Sequence, residues 1–321
     1  VSILFCDIRD FTTLSESMNP ETLMAFLNNY MEQMVGRSIA ENGGFIDKFI
    51  GDAVMAIFED RHSDGALQTA VNIQRALTAY NSHLSADSQA QQIRAGVGLN
   101  TGTVIMGTVG THTRMDSTII GDEVNIAARL EGLSKLYRVP VIASAGTIQR
   151  LRHPENFSMR KIDSVVVKGK AVPVTVYEIF SWEADWIRAP ESLDADVEPN
   201  PAPLFRKGFE VEKKIERARA YVTGVGYYEF YLNGKRVGDH VLDPAFTRYD
   251  RRVLYETYDV TEHMKRGKNA AGAVVGNGWY NMHTRAVWNF DKAPWRGRPA
   301  FLCQIRLSFE DGSSRTIGSD D

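Results

Sequence analysis

This sequence has few cysteines, no long apolar run and no strong charge imbalance. The chain has 2 cysteines in 321 residues, Cys6 and Cys303, which lie far apart, so we expect free thiols rather than a disulfide framework. No apolar run approaches the roughly 18 residues of a membrane helix, and no signal-peptide pattern is present, which favours a cytoplasmic protein. A formal net charge of −3 at pH 7 gives no reason to expect a nucleic acid or an anionic membrane as partner.

Tryptophan is missing from residues 1–180, whereas all 5 tryptophans lie in residues 181–321. Near this change of composition, residues 189–203 (APESLDADVEPNPAP) are rich in proline and acidic residues, as in an extended surface segment. We therefore predict a first domain at 1–180, a linker and the start of the second domain at 181–203, and the rest of that domain at 204–321. We also expect both ends to be cut from a longer chain.

Hydrophobic periodicity in the first domain predicts alternating strands and helices. Asn19 followed by Pro20 is typical of a helix N-terminus, and residues 42–44 (NGG) are typical of its end. The other predicted helices are 66–84 and 122 to about 136, and the predicted strands are 1–8, 45–50, 53–58, 93–99 and 104–109. This order favours a ferredoxin-like α+β fold, which we expect to have two layers, with the helices on one face of the sheet.

Two aspartates lie where strand ends are expected to meet. Asp7 is at the end of the first strand, and Asp52 is at the tip of the predicted hairpin. Such carboxylates can share hard cations, since Mg²⁺ prefers carboxylate and phosphate oxygens. An aspartate in a turn more often serves the turn itself, so this pair alone is weak evidence for a metal site. Residues 11–13 could offer backbone N–H groups to a phosphate, as could any strand-to-helix loop.

Longer motifs follow one another along residues 1–180. Residues 1–12 read VSILFCDIRDFT, 47–58 read DKFIGDAVMAIF, and 117–131 read STIIGDEVNIAARLE. Residues 167–170 (VKGK) and 173–178 (PVTVYE) complete the series. In this order, the motifs resemble the first strand, metal-binding hairpin, catalytic helix and final hairpin of class III adenylate and guanylate cyclases. The resemblance covers nearly all of the first domain and implies an adenylate cyclase, which forms 3′,5′-cyclic AMP and pyrophosphate from ATP.

The resemblance also implies two divalent cations per site, Mg²⁺ or Mn²⁺, held by Asp7, Asp52 and the main-chain carbonyl of Ile8. One ion would acidify the ribose 3′-hydroxyl for attack on the α-phosphate, and the other would hold the phosphates and the pyrophosphate leaving group. Phe11 and Thr12 would contact the substrate next to the metal site.

Base recognition would fall to Lys48 and Thr118, as the resemblance implies. Guanine-specific relatives typically carry Glu and Cys at these positions, so Lys48 and Thr118 favour ATP. The commoner residue of adenylate-type relatives at position 118 is aspartate. With threonine at position 118, the sequence resembles the subgroup of soluble, bicarbonate-responsive cyclases, which implies stimulation by bicarbonate.

The remaining substrate contacts are carried over from the same resemblance. Asn125 would orient the ribose, and Arg129 would stabilise charge at the pentavalent phosphorus. Their spacing of four places both on one helix face. Lys168 or Lys170 would contact the polyphosphate, and the sequence does not distinguish the two. An arginine that some relatives use for phosphate corresponds to Thr103, so that contact is missing or supplied elsewhere.

A homodimer is implied as well. In the family, the metal aspartates come from one subunit, and the base-reading and transition-state residues come from the other. A chain that carries both sets is expected to form a symmetric dimer with two sites at its interface.

Short strand-like runs separated by regular turns predict an all-β sandwich in the second domain. Asn233-Gly234 is a strong hairpin signal. The sequences AYVTGVGYYEFYLNGKRVGD (220–239), VLDP (241–244), YETYDVT (255–261) and GNGWY (276–280) resemble the N-terminal domain of bacterial α-L-rhamnosidases. That resemblance implies a non-catalytic jelly-roll module that assists carbohydrate recognition. The family's catalytic barrel would lie beyond Asp321, so we expect no glycosidase activity.

Two hypotheses of different classes follow. The first is an ATP-specific cyclase. The alternative is a catalytically silent dimerisation scaffold that carries a carbohydrate-binding module. Every predicted metal, base-reading and transition-state position holds a chemically competent residue, which a silent scaffold would not need, so the sequence favours the enzyme.

Overall fold

The computed structural model describes residues 1–82, 92–111, 114–166, 172–189, 202–282 and 292–320. The chain forms two compact units, Val1–Ser181 and Trp182–Asp321, which are called unit 1 and unit 2 below and are described separately. Among the described residues, no helix has the length and apolar character needed to cross a membrane.

Unit 1 alternates strands and helices along the chain. Its strands are β1 (Ser2–Ile8), β2 (Gly44–Ile50), β3 (Ala53–Phe58), β4 (Ala95–Thr101), β5 (Ile105–Thr111), β6 (Arg114–Ile120), β7 (Val141–Ser144), β8 (Ser158–Val165) and β9 (Val174–Phe180). Its helices are α1 (Phe11–Glu16), α2 (Pro20–Asn29), α3 (Arg37–Glu41), α4 (Ser63–Ser82), α5 (Asp122–Tyr137) and α6 (Ala145–Gln149). A π-helical segment, Tyr30–Gly36, joins α2 to α3, and the segments Asp60–His62 and Pro154–Asn156 are 3₁₀-helical.

A seven-stranded sheet organises unit 1, in the order β2-β3-β1-β4-β7-β9-β8. Its β4–β7 pair is parallel, and its other neighbouring strands run antiparallel. Strands β5 and β6 form a separate two-stranded sheet. The central strand β1 therefore lies between the β2–β3 hairpin and β4, which brings the end of β1 next to the hairpin turn.

Helices cover both faces of the large sheet, so the prediction of a two-layer unit with helices on one face is wrong. Along β1, Leu4 belongs to a core cluster shared with α1 and α4, whereas the adjacent Ile3 packs in a cluster with Ala127 of α5. Successive residues of a strand point to opposite faces. The first strand is therefore buried on both sides, and this explains why its apolar pattern shows little alternation.

The helix predicted after Asn19 is present and begins where its capping signal indicates. The Thr22 backbone N–H donates to the Asn19 side chain at 2.8 Å, and Pro20 occupies the first helical position. The helical path continues through the π-helical segment and α3 to Glu41. Tyr30, in the π-helical segment, is fully buried, and its hydroxyl lies 3.3 Å from the Cys6 thiol.

Unit 2 is a sandwich of two antiparallel sheets. Its strands are β10 (Ile187–Arg188), β11 (Leu204–Val211), β12 (Ile215–Val225), β13 (Tyr227–Leu232), β14 (Lys235–Arg236), β15 (Glu256–Asp259), β16 (Gly267–Gly276), β17 (Ala300–Phe309) and β18 (Ser314–Gly318). One sheet has the order β10-β17-β12-β15, with β18 paired to β17, and the other has the order β11-β16-β13-β14. A 3₁₀ turn, Thr261–His263, follows β15. The predicted β-sandwich is confirmed, while its jelly-roll connectivity stays a prediction.

The core of unit 2 lies between the two sheets. Phe301 of β17 packs against three aromatic rings of the facing sheet, with centroid distances of 5.8–6.3 Å: Phe205, Tyr228 and Phe230. The predicted hairpin turn is present, because Asn233 and Gly234 both have positive φ, 51° and 80°. Positive φ at both central residues is the signature of the type I′ turn that Asn-Gly favours.

Both cysteines are free thiols, in agreement with the sequence prediction, and both are buried. Burial raises the pKa of the Cys6 thiol to about 12. Burial also raises the pKa of Cys303 well above its ordinary value. Since the thiolate is the reactive form, neither side chain has the character of a nucleophile.

Candidate active site

The carboxylates of Asp7 and Asp52 lie together at one end of the large sheet. Asp7 precedes the last residue of β1, and Asp52 lies in the turn between β2 and β3, where Gly51 has a φ of +65°. The register pairs Cys6 with Val54, so the turn lies beside the end of β1. The two carboxyl groups are close enough to share a hydrogen bond. The structure thus brings together the two side chains predicted to hold metal.

Electrostatics at this pair favour a bound cation. Burial raises the pKa of Asp7 to about 7, and the charge of Asp52 and the hydrogen bond with it add to the shift. Two carboxylates held this close repel each other when both are ionised. A divalent cation relieves that repulsion and prefers such oxygen ligands, so the residues present fit the expected Mg²⁺ or Mn²⁺. The third predicted ligand is the main-chain carbonyl of Ile8, the last residue of β1.

An ion pair between Arg9 and Glu131 supports the end of β1 from the α5 side. Arg9 Nη1 lies 2.8 Å from Glu131 Oε1, and both side chains are less than 15% exposed. Arg9 Nη2 also donates to the carbonyl of Glu131 and to the hydroxyl of Ser134. The sequence did not predict this pair, because nothing in the local pattern links residues so far apart in the chain.

Helix α5 lies close against β4 and carries Asn125 and Arg129. A side chain at Gly98 of β4 would clash with the backbone of α5, so this glycine permits the close approach. The buried Asn100 amide donates to the Glu123 carboxylate at 2.7 Å and thereby fixes the first turn of α5. Asn125 and Arg129 are exposed on this anchored helix, and their spacing of four residues places both on one helix face.

Lys48 and Thr118 meet through a direct hydrogen bond. Lys48 Nζ, on β2, donates to Thr118 Oγ1, on β6, at 2.6 Å. The Thr118 hydroxyl in turn donates to Asp47 Oδ2 at 2.9 Å. The structure therefore brings together the predicted base-reading pair, and it adds Asp47, which was not among the predicted site residues.

The remaining predicted contacts are placed less fully. Phe11 is the first residue of α1, and its side chain packs partly against the core, whereas Thr12 is exposed. Thr103 is exposed in the segment between β4 and β5. Lys168 and Lys170 lie outside the described residues.

Large apolar side chains are exposed on the two hairpins that carry Lys48 and Thr118. Ile105 and Met115, on β5 and β6, are 74% and 67% exposed, and Phe49, on β2, is 55% exposed. The Lys48–Thr118 hydrogen bond joins the two hairpins, so these exposed side chains belong to adjacent elements of unit 1. Large apolar side chains that are exposed together are typical of an interaction surface.

Unit 2 contains a cavity of about 370 Å³ whose lining includes Gly318, the last residue of β18. Its lining is mainly apolar and includes Phe205, Phe230 and Phe301, together with the polar groups of Arg188 and Lys207. Concave sites with an apolar lining and a few polar groups are the usual form of small-molecule pockets. The cavity is thus the place in unit 2 where a small ligand could be sought.

Comparison with known proteins assigns both parts of the chain to families. Residues 1–180 match the sequence model of the adenylate and guanylate cyclase catalytic domain. Residues 213–321 match the model of the alpha-L-rhamnosidase N-terminal domain. Both resemblances predicted from the sequence are therefore confirmed.

Individual relatives agree with these assignments. An adenylate cyclase of Anabaena cylindrica is 47% identical over 183 residues, which are 56% of this chain and 36% of that protein. An alpha-L-rhamnosidase of Formosa agariphila is 40% identical over 124 residues, 37% of this chain and 13% of that protein. The solved structure of a bacterial light-regulated adenylyl cyclase is 31% identical with a TM-score of 0.51, and the match covers 56% of this chain and 88% of that one. The chain thus spans only a part of each of these curated relatives.

Proposed function

The chain belongs to the adenylate and guanylate cyclase catalytic domain family, and we propose that unit 1 converts ATP to 3′,5′-cyclic AMP and pyrophosphate. The observation that carries the proposal is the half-buried carboxylate pair of Asp7 and Asp52, in which the pKa of Asp7 is raised to about 7. A silent scaffold gains nothing from two carboxylates that repel each other, whereas a metal-dependent enzyme requires them. This observation favours the enzyme over the scaffold hypothesis.

Asp7, Asp52 and the main-chain carbonyl of Ile8 would hold Mg²⁺ or Mn²⁺, two ions per site. When bound, these ions supply charge neutralisation at the phosphates and acidify the ribose 3′-hydroxyl. The Arg9–Glu131 ion pair would keep the end of β1 rigid, so that Asp7 remains aligned with Asp52. Positioning of this kind matters because small misplacements of reacting groups cost large factors in rate.

Lys48 and Thr118 would read the adenine base, since they form one hydrogen-bonded unit on two adjacent hairpins. Asn125 would orient the ribose. Arg129, one helical turn further along α5, would donate to the phosphate oxygens as negative charge develops at the phosphorus. Either Lys168 or Lys170 would contact the polyphosphate, and Phe11 and Thr12 would lie against it.

We propose a homodimer with two sites at its interface. Its interface would include the exposed apolar side chains of the β2–β3 and β5–β6 hairpins, among them Phe49, Ile105 and Met115. The metal aspartates of one subunit would then face Lys48 and Arg129 of the other. Burial of these apolar groups would stabilise the dimer by about 25 cal/mol per Å² removed from water, before the cost of association.

Subunit mixing tests the enzyme and its shared site together. With ATP and Mn²⁺, the wild-type chain should form cyclic AMP, whereas Asp52→Ala and Arg129→Ala chains should each be nearly inactive. If subunits exchange at random, half of all dimers in the mixture are heterodimers, and each heterodimer has one intact site of two. Activity should therefore return to roughly a quarter of wild type. Asp60→Ala removes an exposed carboxylate paired with Arg150 and serves as the matched control with unchanged activity.

The outcomes separate the parts of the proposal. Absence of cyclic AMP formation by the wild type would reject the cyclase. Wild-type activity in Asp52→Ala would reject the metal assignment. Inactive mixtures whose subunits demonstrably exchange would place a complete site within each chain.

Unit 2 has no catalytic role in this proposal, and we expect it to bind carbohydrate. The apolar cavity with Arg188 and Lys207 in its lining is the observation that favours a ligand. Titration with L-rhamnose, followed by tryptophan fluorescence, tests this expectation, because all 5 tryptophans belong to unit 2. An unchanged emission together with no calorimetric heat would reject it.

A further inference from the structure

Asp47 lies at an irregularity of β2 that places it beside its neighbour in sequence. The register between β2 and β3 pairs Ile46 with Ala56 and Lys48 with Met55, so Asp47 is an extra residue in the ladder. In a regular strand, Asp47 and Lys48 would point to opposite faces of the sheet. A bulge removes this alternation and re-aims a side chain, and such bulges are common next to active sites. Here, both side chains reach Thr118.

Three polar groups therefore form a closed arrangement. Lys48 Nζ donates to Thr118 Oγ1 at 2.6 Å, and Thr118 Oγ1 donates to Asp47 Oδ2 at 2.9 Å. Lys48 Nζ also lies 3.3 Å from the Asp47 carboxylate, whose side chain is only 5% exposed. The carboxylate thus has its oxygens turned toward the pair and away from solvent, while the Lys48 side chain remains partly exposed.

The direction of these hydrogen bonds fixes what Thr118 can offer to a ligand. A threonine hydroxyl has one proton to donate and two lone pairs that accept. The proton is committed to Asp47, because an ionised carboxylate only accepts. One lone pair receives the Lys48 proton, so the free capacity of Thr118 Oγ1 is that of an acceptor. Lys48 can only donate, since an ammonium group has no lone pair.

This pattern of one acceptor and one donor matches adenine and opposes guanine. Adenine presents an N6 amino donor beside the N1 acceptor, whereas guanine presents the O6 acceptor beside an N1–H donor. The Thr118 oxygen, acting as an acceptor, can pair with the adenine amino group. With guanine, it would face the O6 oxygen, which is also an acceptor, and no hydrogen bond could form. A site of this kind rejects the base that leaves its polar groups unpaired.

We propose that Asp47 is a specificity-determining positioning residue, which holds the Thr118 hydroxyl as an acceptor and thereby makes the base site select ATP over GTP. The inference rests on the proposed function, in which Lys48 and Thr118 meet the base. Without the Asp47 carboxylate, the Thr118 hydroxyl can turn and donate to guanine O6. Because the Asp47 side chain is only 5% exposed and accepts the Thr118 hydrogen bond, it would act on the base through Thr118 and not by direct contact.

The test is the ratio of kcat/KM for ATP to kcat/KM for GTP. Asp47→Ala should lower this ratio on the order of tenfold, the usual effect of a lost or misdirected buried hydrogen bond. Asp47→Asn should keep most of the ratio, because its amide oxygen still accepts the Thr118 proton. In a Thr118→Val background, Asp47→Ala should have no further effect, since the hydroxyl that it orients is gone. Glu59→Ala, an exposed carboxylate past the end of β3, is the matched control.

A second readout separates this inference from the cyclase proposal. Displacement of the fluorescent analogue methylanthraniloyl-ATP by ATP and by GTP measures base selection without turnover. If the wild type makes no cyclic nucleotide but binds ATP more tightly than GTP, the cyclase proposal fails. The Asp47 inference is then tested by binding alone, since it requires that Asp47→Ala lower the ratio of ATP affinity to GTP affinity. Any of four results would overturn the inference. Asp47→Ala could leave the ratio unchanged, or it could weaken ATP and GTP equally. The wild type could show no preference for ATP, or the effect of Asp47→Ala could persist in the Thr118→Val background.

Discussion

Loading of the Asp7–Asp52 pair with Mn²⁺ should release a proton, in an amount that depends on pH. The pKa of Asp7 is raised from 3.8 to about 7, first by burial and then by the charge of Asp52 and the hydrogen bond with it. A carboxylate must be ionised to bind a metal ion, so a group still protonated at the working pH gives up its proton on binding. Solution measurements of metal binding thus report directly on the carboxylate pair.

The size of the effect follows from the titration of Asp7. A carboxyl group with a pKa of about 7 is about nine-tenths protonated at pH 6 and about one-tenth protonated at pH 8. Binding of Mn²⁺ should therefore release close to one proton at pH 6 and almost none at pH 8. The same fractions predict that the apparent affinity rises roughly tenfold between these two pH values.

Isothermal titration calorimetry in buffers of different ionisation enthalpy measures this proton release without nucleotide or turnover. Asp7→Asn should weaken Mn²⁺ binding and abolish its dependence on the buffer. Asp10→Asn is the matched control, because Asp10 is an exposed carboxylate nearby that pairs with Arg94 and Lys135. Equal heats in both buffers at pH 6, with wild-type affinity that does not change up to pH 8, would refute the raised pKa and the ligand assignment based on it.

The same pKa gives the sign of a stability effect in the metal-free protein. Between pH 3.8 and about 7 the folded chain keeps the Asp7 proton that the unfolded chain has lost. The folded state then binds more protons, so the Asp7 contribution to the free energy of unfolding falls as pH rises through this window. The fall is at most about 1.4 kcal/mol per pKa unit, reduced by solvent screening because Asp7 is only half-buried. Asp52→Asn should flatten the slope, as measured by thermal unfolding of unit 1 against pH.

Three further predictions concern the base site, the support behind β1 and the second unit. Lys48→Glu combined with Thr118→Cys should lower kcat/KM for ATP and raise it for GTP; an undiminished preference for ATP would place base reading elsewhere. Arg9→Ala should destabilise unit 1 by about 3 kcal/mol in denaturant unfolding followed by circular dichroism, because it leaves the mostly buried Glu131 carboxylate unpaired. Adding Glu131→Gln should restore most of the lost stability, and no recovery would contradict the pairing. Phe301→Ala should destabilise unit 2 by about 3–5 kcal/mol, the usual effect of replacing a large buried aromatic side chain with alanine. Tryptophan fluorescence reports on the unfolding of this unit alone, and a loss below about 1 kcal/mol would contradict the packing.

Local signals predicted the longer helices well, because helical periodicity and capping depend on residues that are close together in the chain. The helix predicted from residue 122 to about 136 is α5, Asp122–Tyr137. The Asn19 side chain caps the helix that follows it. The Asp7–Asp52 pair could also be predicted, since a strand end and a hairpin tip are both visible in the sequence. Each of these features depends on residues within a few positions of one another or on a motif with one dominant geometry.

The placement of helices on both faces of the sheet could not be read from helical periodicity. Periodicity tells which side of a helix is buried, and not which face of the sheet receives it. A usable signal was present in β1, where Ile3 and Leu4 are adjacent and equally buried. A strand that is apolar on successive residues is expected to be covered on both faces. Another signal was the pair of glycines Gly96 and Gly98 in β4, since a side chain at Gly96 would clash with Arg9 and one at Gly98 with α5. Such glycines indicate that a second element packs closely against this face of the strand.

The role inferred for Asp47 depends on a feature that no local rule predicts. Alternation along β2 places Asp47 and Lys48 on opposite faces, so a sequence argument that selects Lys48 sets Asp47 aside. The bulge that reverses this placement is a property of the pairing between β2 and β3, and it appears only when the register of both strands is known. Thr118 then reaches the same point from β6, 70 residues away along the chain from Lys48. Specificity in such a site depends on which hydrogen-bonding groups the fold brings together. Sequence motifs can therefore predict which residues contact the base, but not the direction of the hydrogen bonds that those residues make.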